Sequence, residues 1–437
     1  MMRQRGVAMK MSPRIISYDI SEGTVFFNTK TNDSFLITNE LIKKVDEDEE
    51  TEKQYESYLE QHNYFLEEDE VDKYLTQISE ADKERLGLTV LTHGDCNFRC
   101  KYCYEHFTNI SMSLETENAI FYFVEEKIKT GQFKYLTVAW FGGEPLLGFK
   151  TIVSLGKRLI SLCNKYNVNY DSSLTTNGFL LDKKKFVTLV TDLRVTSYQI
   201  TLDGNQESHD RQRISRTGKG TYDRILKNLI DMRQTKLDFE CIIRFNITKE
   251  NYPNICSFLK HDGLIFKEDE RFLLFYCNVG DWGKGDRVEN SLTLVNRSTA
   301  FELSKRAVKE GYSLFASRYN TSHFFSCYAN KKNHYAFNVN GIVQSCTVAL
   351  YDKKNIFGNI NTGFVNQNKI DKWVINVDDS CSDCPYLLIC KSGNCPMVKR
   401  INGVSFKRIC ESMKNTIYEN LALFALDGQY NDILDVE

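Results

Sequence analysis

No stretch of this sequence approaches the roughly 20 uninterrupted apolar residues of a membrane-spanning helix. Its opening, MMRQRGVAMKMSPRI, holds basic side chains but no apolar run of signal-peptide length. The expectation is a cytoplasmic protein with no membrane partner. An excess of one charge is also missing: Lys and Arg total 56 against 58 for Asp and Glu, a formal net charge of -2. That leaves no general field for nucleic acid or anionic lipid. Low-complexity tracts and internal repeats are absent as well, apart from an alternation of strands and helices. Cysteine, by contrast, is abundant, with fourteen residues. In reducing cytosol so many thiols argue for metal ligation over a disulfide scaffold, and their spacing becomes the main evidence.

At 437 residues the chain has room for two or three units. Three short β patterns, RIISYDI, TVFFNTKT and SFLIT, are separated by the turn formers Glu22, Gly23, Asn32 and Asp33. Amphipathic helical patterns follow as far as Ile78. Residues 1–83 therefore read as a small α+β unit. From Leu86 onward strands alternate with helices, the mark of a parallel α/β sheet or barrel. The strands are GLTVLTHG, YLTVAWFGG, YDSSLTTNG, SYQITLDG, FECIIRFNIT and RFLLFYCNVG, with helices beginning near Ser113, Lys150, Asp182, Tyr222 and Tyr252. Six such units over residues 84–290 fit a partial (βα)6 TIM-like barrel better than a complete one of eight. Residues 291–437 open on a helical pattern and then turn cysteine-rich with little periodicity. Ligands, rather than a large core, are expected to organise them.

The strongest motif is CNFRCKYCY, where Cys96, Cys100 and Cys103 form CxxxCxxC in the loop after the first barrel strand. Three thiolates can hold three irons of a four-iron four-sulfur cluster and leave the fourth open to a chelating ligand. The competing reading is structural zinc, which normally wants four closed ligands. At the ends of the next strands, where barrel sites are built, stand Gly142, Gly143, Glu144 and Pro145, then Asn177, then Thr201. Glycines permit close backbone approach, and a carboxylate such as Glu144 accepts hydrogen bonds from a cationic amine. A second constellation begins at Cys327. Thirteen residues separate it from Gly341 and four separate Gly341 from Cys346, after which come Cys381, Cys384, Cys390, Cys395 and Cys410.

Together these motifs resemble the radical S-adenosylmethionine (SAM) superfamily. The resemblance implies that Cys96, Cys100 and Cys103 hold the cluster whose open iron binds SAM, and that one electron from it cleaves SAM to a 5'-deoxyadenosyl radical. It places Tyr102, Gly142, Gly143, Glu144, Asn177 and Thr201 around SAM. Residues 201–223, TLDGNQESHDRQRISRTGKGTYD, are similar to the branch of anaerobic sulfatase maturases and ribosomal-peptide maturases. There Arg213 offers a bidentate fork to the SAM carboxylate, while His209 and Asp210 hold the loop together. The tail resembles the SPASM extension. By that resemblance Cys381, Cys384, Cys390 and Cys410 carry one auxiliary cluster and Cys327, Cys346 and Cys395 another, three 4Fe-4S clusters in all. The family has three residues where residues 391–394 precede Cys395, and Cys277 is either a fourth ligand of that cluster or a plain buried thiol. Cys163, Cys241 and Cys256 read as core residues.

Function follows as an expectation from the same resemblance. It is a peptide maturase of the sactipeptide or ranthipeptide type, joining a Cys sulfur to a carbon of a ribosomally made precursor. Residues 1–83, winged-helix-like, would grip the precursor's leader by adding a strand to a sheet edge. Removing them would weaken peptide binding and leave SAM cleavage intact. A flavodoxin or ferredoxin would supply electrons. The alternative within the family is formylglycine formation; in sulfatase maturases an aspartate follows the cysteine matching Cys346, whereas here Thr347 does. An alternative of another class is a non-catalytic iron-sulfur binding or regulatory protein.

Overall fold

Three strands, β1 (Ile15–Asp19), β2 (Gly23–Asn28) and β3 (Ser34–Thr38), come first among the described elements and pair antiparallel in sequence order. The computed structural model describes residues 12, 14–62, 64, 71–280, 298–319, 327–390, 395–428 and 430–435. The unit boundary at 290, the start of the helical pattern before Ser298 and the insertion at 391–394 lie outside the described residues. Helices α1 (Asn39–Glu47), α2 (Glu49–Gln61) and α3 (Val71–Lys83) follow the first three strands. Thr38 caps α1 by accepting a hydrogen bond from Leu41 N, and Asp48 caps α2 through Thr51 N.

The barrel follows. Its elements are β4 (Arg85–Leu91), β5 (Phe98–Cys100), α4 (Leu114–Lys129), β6 (Tyr135–Phe141), α5 (Phe149–Tyr166), β7 (Asn169–Thr176) and α6 (Lys183–Leu193). Next come β8 (Val195–Thr201), α7 (Gln206–Gln212), β9 (Arg213–Ser215), α8 (Tyr222–Arg233), β10 (Glu240–Ile247), α9 (Tyr252–Lys260) and β11 (Phe272–Asn278). Strands β4, β6, β7, β8, β10 and β11 are the six expected, all parallel. Ser113 and Asp182 cap α4 and α6 through Thr116 N and Lys185 N. Alternation sorts each strand's faces: in β6, Leu136, Val138 and Trp140 are buried, while Thr137, Ala139 and Phe141 between them are half-buried.

The tail departs from expectation. It contains α10 (Ser298–Lys309), α11 (Phe315–Tyr319), β12 (His334–Phe337), β13 (Ile342–Gln344), β14 (Gly358–Asn359), β15 (Phe364–Val365), α12 (Gln367–Trp373), α13 (Leu387–Cys390), α14 (Phe406–Leu426) and β16 (Asp432–Leu434). Strand β12 pairs parallel with β4, and β13, β14 and β15 continue outward, giving one ten-stranded sheet. Tyr335, Phe337, Val343, Phe357, Ile370 and Trp373 belong to the same hydrophobic core as the barrel. A packed core, and not only ligands, therefore organises this region. Its strands are too short for alternation to register in the sequence.

Strand β16 joins the N-terminal sheet beside β3, in the order β1-β2-β3-β16. One face of that sheet packs Ile16, Val25, Phe27 and Leu36 on Ile417, Leu421, Phe424 and Ala425 of α14. Phe35 and Ile37 meet Leu41, Val45, Tyr55 and Leu59 of α1 and α2. Arg14, 1% exposed, reaches the tail: Nη1 donates to Cys384 O (2.5 Å) and Nη2 to Ser382 O (2.6 Å). Thr29 Oγ1 donates to Pro385 O (2.9 Å). Among the described residues no helix is long and apolar enough to cross a membrane.

Candidate active site

The C-terminal ends of the barrel strands enclose a pocket whose wall holds Cys96, Cys100 and Cys103 together with Gly142, Gly143, Asn177, Thr201 and Arg213. A larger cavity, ≈ 560 Å³, lies at the opposite end of the strands near Lys83, Gln132 and Asn333, away from the cysteines. The cysteine loop is anchored at both ends. Strand β5 pairs antiparallel with β9, setting Cys100 opposite Arg213. Asp95 Oδ1 accepts hydrogen bonds from Cys96 N (2.7 Å) and Arg99 Nη2 (2.8 Å), and its Oδ2 accepts one from Arg216 Nη1 (2.8 Å).

Two glycines let the next loop approach this one. A Cβ on Gly143 would sit 2.6 Å from Asp95 O and 3.2 Å from Cys96 N, and Gly142 has φ +129° with His93 O at 2.8 Å from any Cβ. Glu144 lies beneath the pocket, fully buried, and is not part of its wall. Its Oε1 accepts from Thr176 Oγ1 (2.7 Å) and Leu146 N (2.9 Å), and its Oε2 from Asn177 N (2.8 Å). Burial pushes its carboxyl up against those donors. The geometry makes Glu144 a clasp between two strand-end loops. Its replacement by Ala strands three buried donors, each costing about 1–3 kcal/mol. Glu144→Ala should therefore lower the denaturation midpoint clearly more than Glu144→Gln, which keeps one acceptor oxygen.

Asn177 is held by its own contacts: Nδ2 donates to Asn97 Oδ1 (2.7 Å), and Oδ1 accepts from Phe179 N (3.0 Å). Across the pocket Arg213 Nη1 donates to Tyr102 OH (2.6 Å), Asn246 Nδ2 donates to the same oxygen (3.1 Å), and Tyr102 OH donates to Asp203. Arg213 Nε is buried without a hydrogen-bond partner among the described residues. Such an orphaned donor in a pocket wall suits a bound anionic group. His209 and Asp210 are structural: His209 Nδ1 accepts from Asp203 N (3.3 Å), and Asp210 Oδ1 accepts from Thr221 N (2.7 Å) and Tyr222 N (2.9 Å).

Burial raises the thiol pKa values of all three pocket cysteines, with Glu144 and Cys100 adding at Cys96 and Glu105 and Cys100 adding at Cys103; Cys103 is pushed up to about 12. Thiolates at such a site need a metal's positive charge to persist. None of the fourteen cysteines is in a disulfide. The residues fit a three-thiolate cluster beside a small ligand with an anionic group. Among the described residues no trio of His, Cys, Asp or Glu is gathered as for a single metal ion.

The pocket also holds residues that the sequence reading passed over: Tyr104, Glu105, Gln199, Arg244 and Asn246. Arg244 and Asn246 were readable in principle, being polar at alternate positions in the apolar run that follows Glu240 in β10. Arg244 Nε donates to Asn246 Oδ1 (2.9 Å) and Nη2 to Cys277 Sγ (3.2 Å). The described contacts thus tie Cys277 to the barrel's own arginine.

In the tail, Cys327, Cys346 and Cys395 are neighbours: the latter two help burial raise Cys327 to about 12, with burial the larger cause. Asn355 cradles Cys346, its Oδ1 accepting from Cys346 N (3.0 Å) and its Nδ2 donating to Cys346 O (2.8 Å). This loop touches the cysteine loop of the barrel. Tyr104 OH donates to Thr347 O (3.2 Å), and His106 N donates to Tyr351 OH (2.7 Å), with the two rings of the second pair stacked at 4.1 Å. Cys381 and Cys384 share a small apolar cluster with Leu75, Leu387, Leu388 and Phe406. Cys390 ends α13, which packs against α14, the helix carrying Cys410.

Residues 90–259 match the sequence profile of the Radical SAM superfamily. This segment is a radical SAM domain. Such a domain implies one four-iron four-sulfur cluster and SAM. A relative is the cysteine-type anaerobic sulfatase-maturating enzyme of Clostridium novyi (strain NT), 24% identical over 364 residues, which are 75% of this chain and 93% of that protein. The radical SAM cyclopropyl synthase TigE of Paramaledivibacter caminithermalis is 31% identical over 119 residues, 24% of this chain and 25% of that protein. Among solved structures, native anSMEcpe with bound AdoMet and the Kp18Cys peptide matches with a TM-score of 0.59 and 19% identity, covering 79% of this chain and 99% of that one. At that identity the likeness concerns the fold, and it extends beyond the radical SAM domain into the tail.

Proposed function

We propose that this radical SAM enzyme is a SPASM-type peptide maturase that joins a cysteine sulfur of a ribosomally made precursor to one of the peptide's carbons. The observation that carries the reading is the tail's second thiol group, Cys327, Cys346 and Cys395, whose loop rests on the cysteine loop of the barrel through Tyr104 and Thr347. In this reading Cys96, Cys100 and Cys103 hold the SAM cluster. Gly142, Gly143, Asn177, Thr201 and Arg213 face SAM, with Arg213 steadied by Tyr102. Cys327, Cys346 and Cys395 hold one auxiliary cluster, and Cys381, Cys384, Cys390 and Cys410 the other. The N-terminal unit grips the leader, and a flavodoxin or ferredoxin is the reductant.

When bound, the cluster and SAM supply a carbon-centred radical able to take hydrogen from an unactivated carbon. The chain's residues orient and enclose. Arg213, tied to Tyr102 in the pocket wall, fixes an anionic group of the ligand through its charge. Phe98, Phe107 and Phe141 line the same wall and exclude water from the reacting carbon.

Formylglycine formation is the second reading, favoured by the Clostridium novyi relative. Against it, Thr347 offers no carboxylate, and its hydroxyl is taken up by Tyr328 OH at 2.5 Å. Mass spectrometry of a cysteine-bearing precursor decides between them. A thioether removes two hydrogens and keeps the sulfur, whereas formylglycine loses the sulfur and gains oxygen. We expect sulfur retention together with loss of one alkylatable thiol. A product without the sulfur would establish the second reading instead.

A further inference from the structure

The N-terminal sheet would be three-stranded, with β3 at its edge, if the chain did not return to it from far away. Strand β16 lies parallel to β3, Asp432 opposite Phe35, Ile433 opposite Leu36 and Leu434 opposite Ile37. We propose that this edge of β3 is a binding site for an extended acidic-aliphatic peptide, and that the chain's own segment 430–435 fills it as an internal competitor. The inference rests on the reading of the N-terminal unit as the leader grip; it adds the chemistry the edge selects and an internal competitor for it.

The contacts of the segment state what the edge selects. Asn431 N donates to Ser34 O (2.9 Å), while Asn431 Oδ1 accepts from Ser34 N (3.0 Å) and Ser34 Oγ (2.9 Å). Tyr58 OH donates to Asp432 Oδ2 (3.1 Å), and Thr38 Oγ1 donates to Asp435 Oδ1 (2.7 Å). One aliphatic side chain, Leu434, packs on the cluster of Phe35, Ile37, Leu41, Val45, Tyr55 and Leu59. Ile433 points away and is 55% exposed. The edge therefore presents donors, Ser34, Thr38 and Tyr58, around one apolar notch. It fits a strand with an amide or acid at either end and an aliphatic anchor between them. Main-chain pairing, which any peptide can supply, provides the rest.

Strand β16 is only three residues long, parallel and at the sheet margin, so its main-chain pairing is short and local opening costs less than for an interior strand. It also covers an edge that would otherwise invite pairing with any other strand. Its effect on a second peptide is that of a tethered ligand, whose local concentration a free competitor must overcome.

The test is direct binding of a fluorescein-labelled peptide matching residues 430–437 to the reconstituted full chain and to a variant lacking those residues. The truncated protein should bind the peptide saturably and about ten-fold or more tightly than the full chain does, because the tethered copy no longer competes. A peptide with Leu434→Asp should lose that binding. The full-length protein carrying Leu434→Asp, which keeps its length but releases its anchor, should bind the wild-type peptide as the truncated protein does. Absence of saturable binding to both variants, in protein whose iron content matches the parent, would overturn the inference. So would equal binding by the full chain, or a Leu434→Asp peptide that binds as well as its parent. These readouts need no turnover: failed capture leaves the proposed reaction standing, and a failed reaction with intact capture leaves the edge standing.

Discussion

Replacing Cys96, Cys100 and Cys103 together by alanine should abolish 5'-deoxyadenosine formation from SAM and lower bound iron by about four per chain, from about twelve in the fully reconstituted parent. The three thiols share one pocket wall and burial keeps each protonated in the bare chain, so losing all three removes every thiol anchor near Arg213. The tail cysteines sit on separate elements and should keep their iron. Iron analysis and nucleoside chromatography on dithionite-reduced protein read both effects. Nucleoside at the parent's level in the triple variant would remove the radical SAM assignment from these cysteines. A parent that contains about four irons, with zinc in the tail, would sink the two auxiliary clusters. A parent with full iron and no nucleoside would instead point to a non-catalytic iron-sulfur protein.

Deleting residues 1–83 should cost the tail its fold as well as any leader affinity. The sequence suggests a detachable unit, but the structure joins it to the tail at three places. Ile16, Val25, Phe27 and Leu36 cover Ile417, Leu421, Phe424 and Ala425 of α14, β3 pairs with β16, and Arg14 holds the carbonyls of Ser382 and Cys384. Uncovering three large apolar side chains alone costs on the order of 5 kcal/mol, comparable with the whole stability of a typical domain. The expected result is rapid proteolysis within α14 and loss of tail iron. If the shortened protein stays monodisperse, with α14 as protease-resistant as in the parent, the N-terminal unit is independent after all. Point changes at the β3 edge are therefore the sounder probe of peptide binding.

The six parallel strands and five helix starts were legible because each is signalled locally, by alternation along a strand or by a cap such as Ser113 or Asp182. The pocket cysteines, Gly142, Gly143, Asn177, Thr201 and Arg213 were legible because barrel sites collect at strand ends, and the structure brings them into one wall. Three kinds of feature were not. Strands β12 to β16 are two to four residues long, and their pairing is fixed by partners distant in sequence. Arg14 looks like one more basic residue near a basic start, yet carbonyls some 370 positions away bury it. Glu144 reads as a ligand contact by its motif, and its bonds to three protein donors are a further duty that the motif does not show. In each case the deciding neighbour is remote in sequence, and periodicity sees only what is near.

The pairing of β12 with β4 sets a condition on grafting any other tail onto this chain. His334 stands opposite Gly87, where a side chain on the glycine would meet the imidazole at 2.3 Å, and Tyr335 and Phe337 turn into the shared core. Because side chains alternate along a strand, moving β12 by one position would carry both aromatics to the other face. A tail grafted from another enzyme must therefore bring a strand that reads in the same phase against β4, with room kept for its histidine at Gly87. Compatibility between catalytic core and cysteine-rich tail is, in this chain, a matter of backbone registration written into four residues.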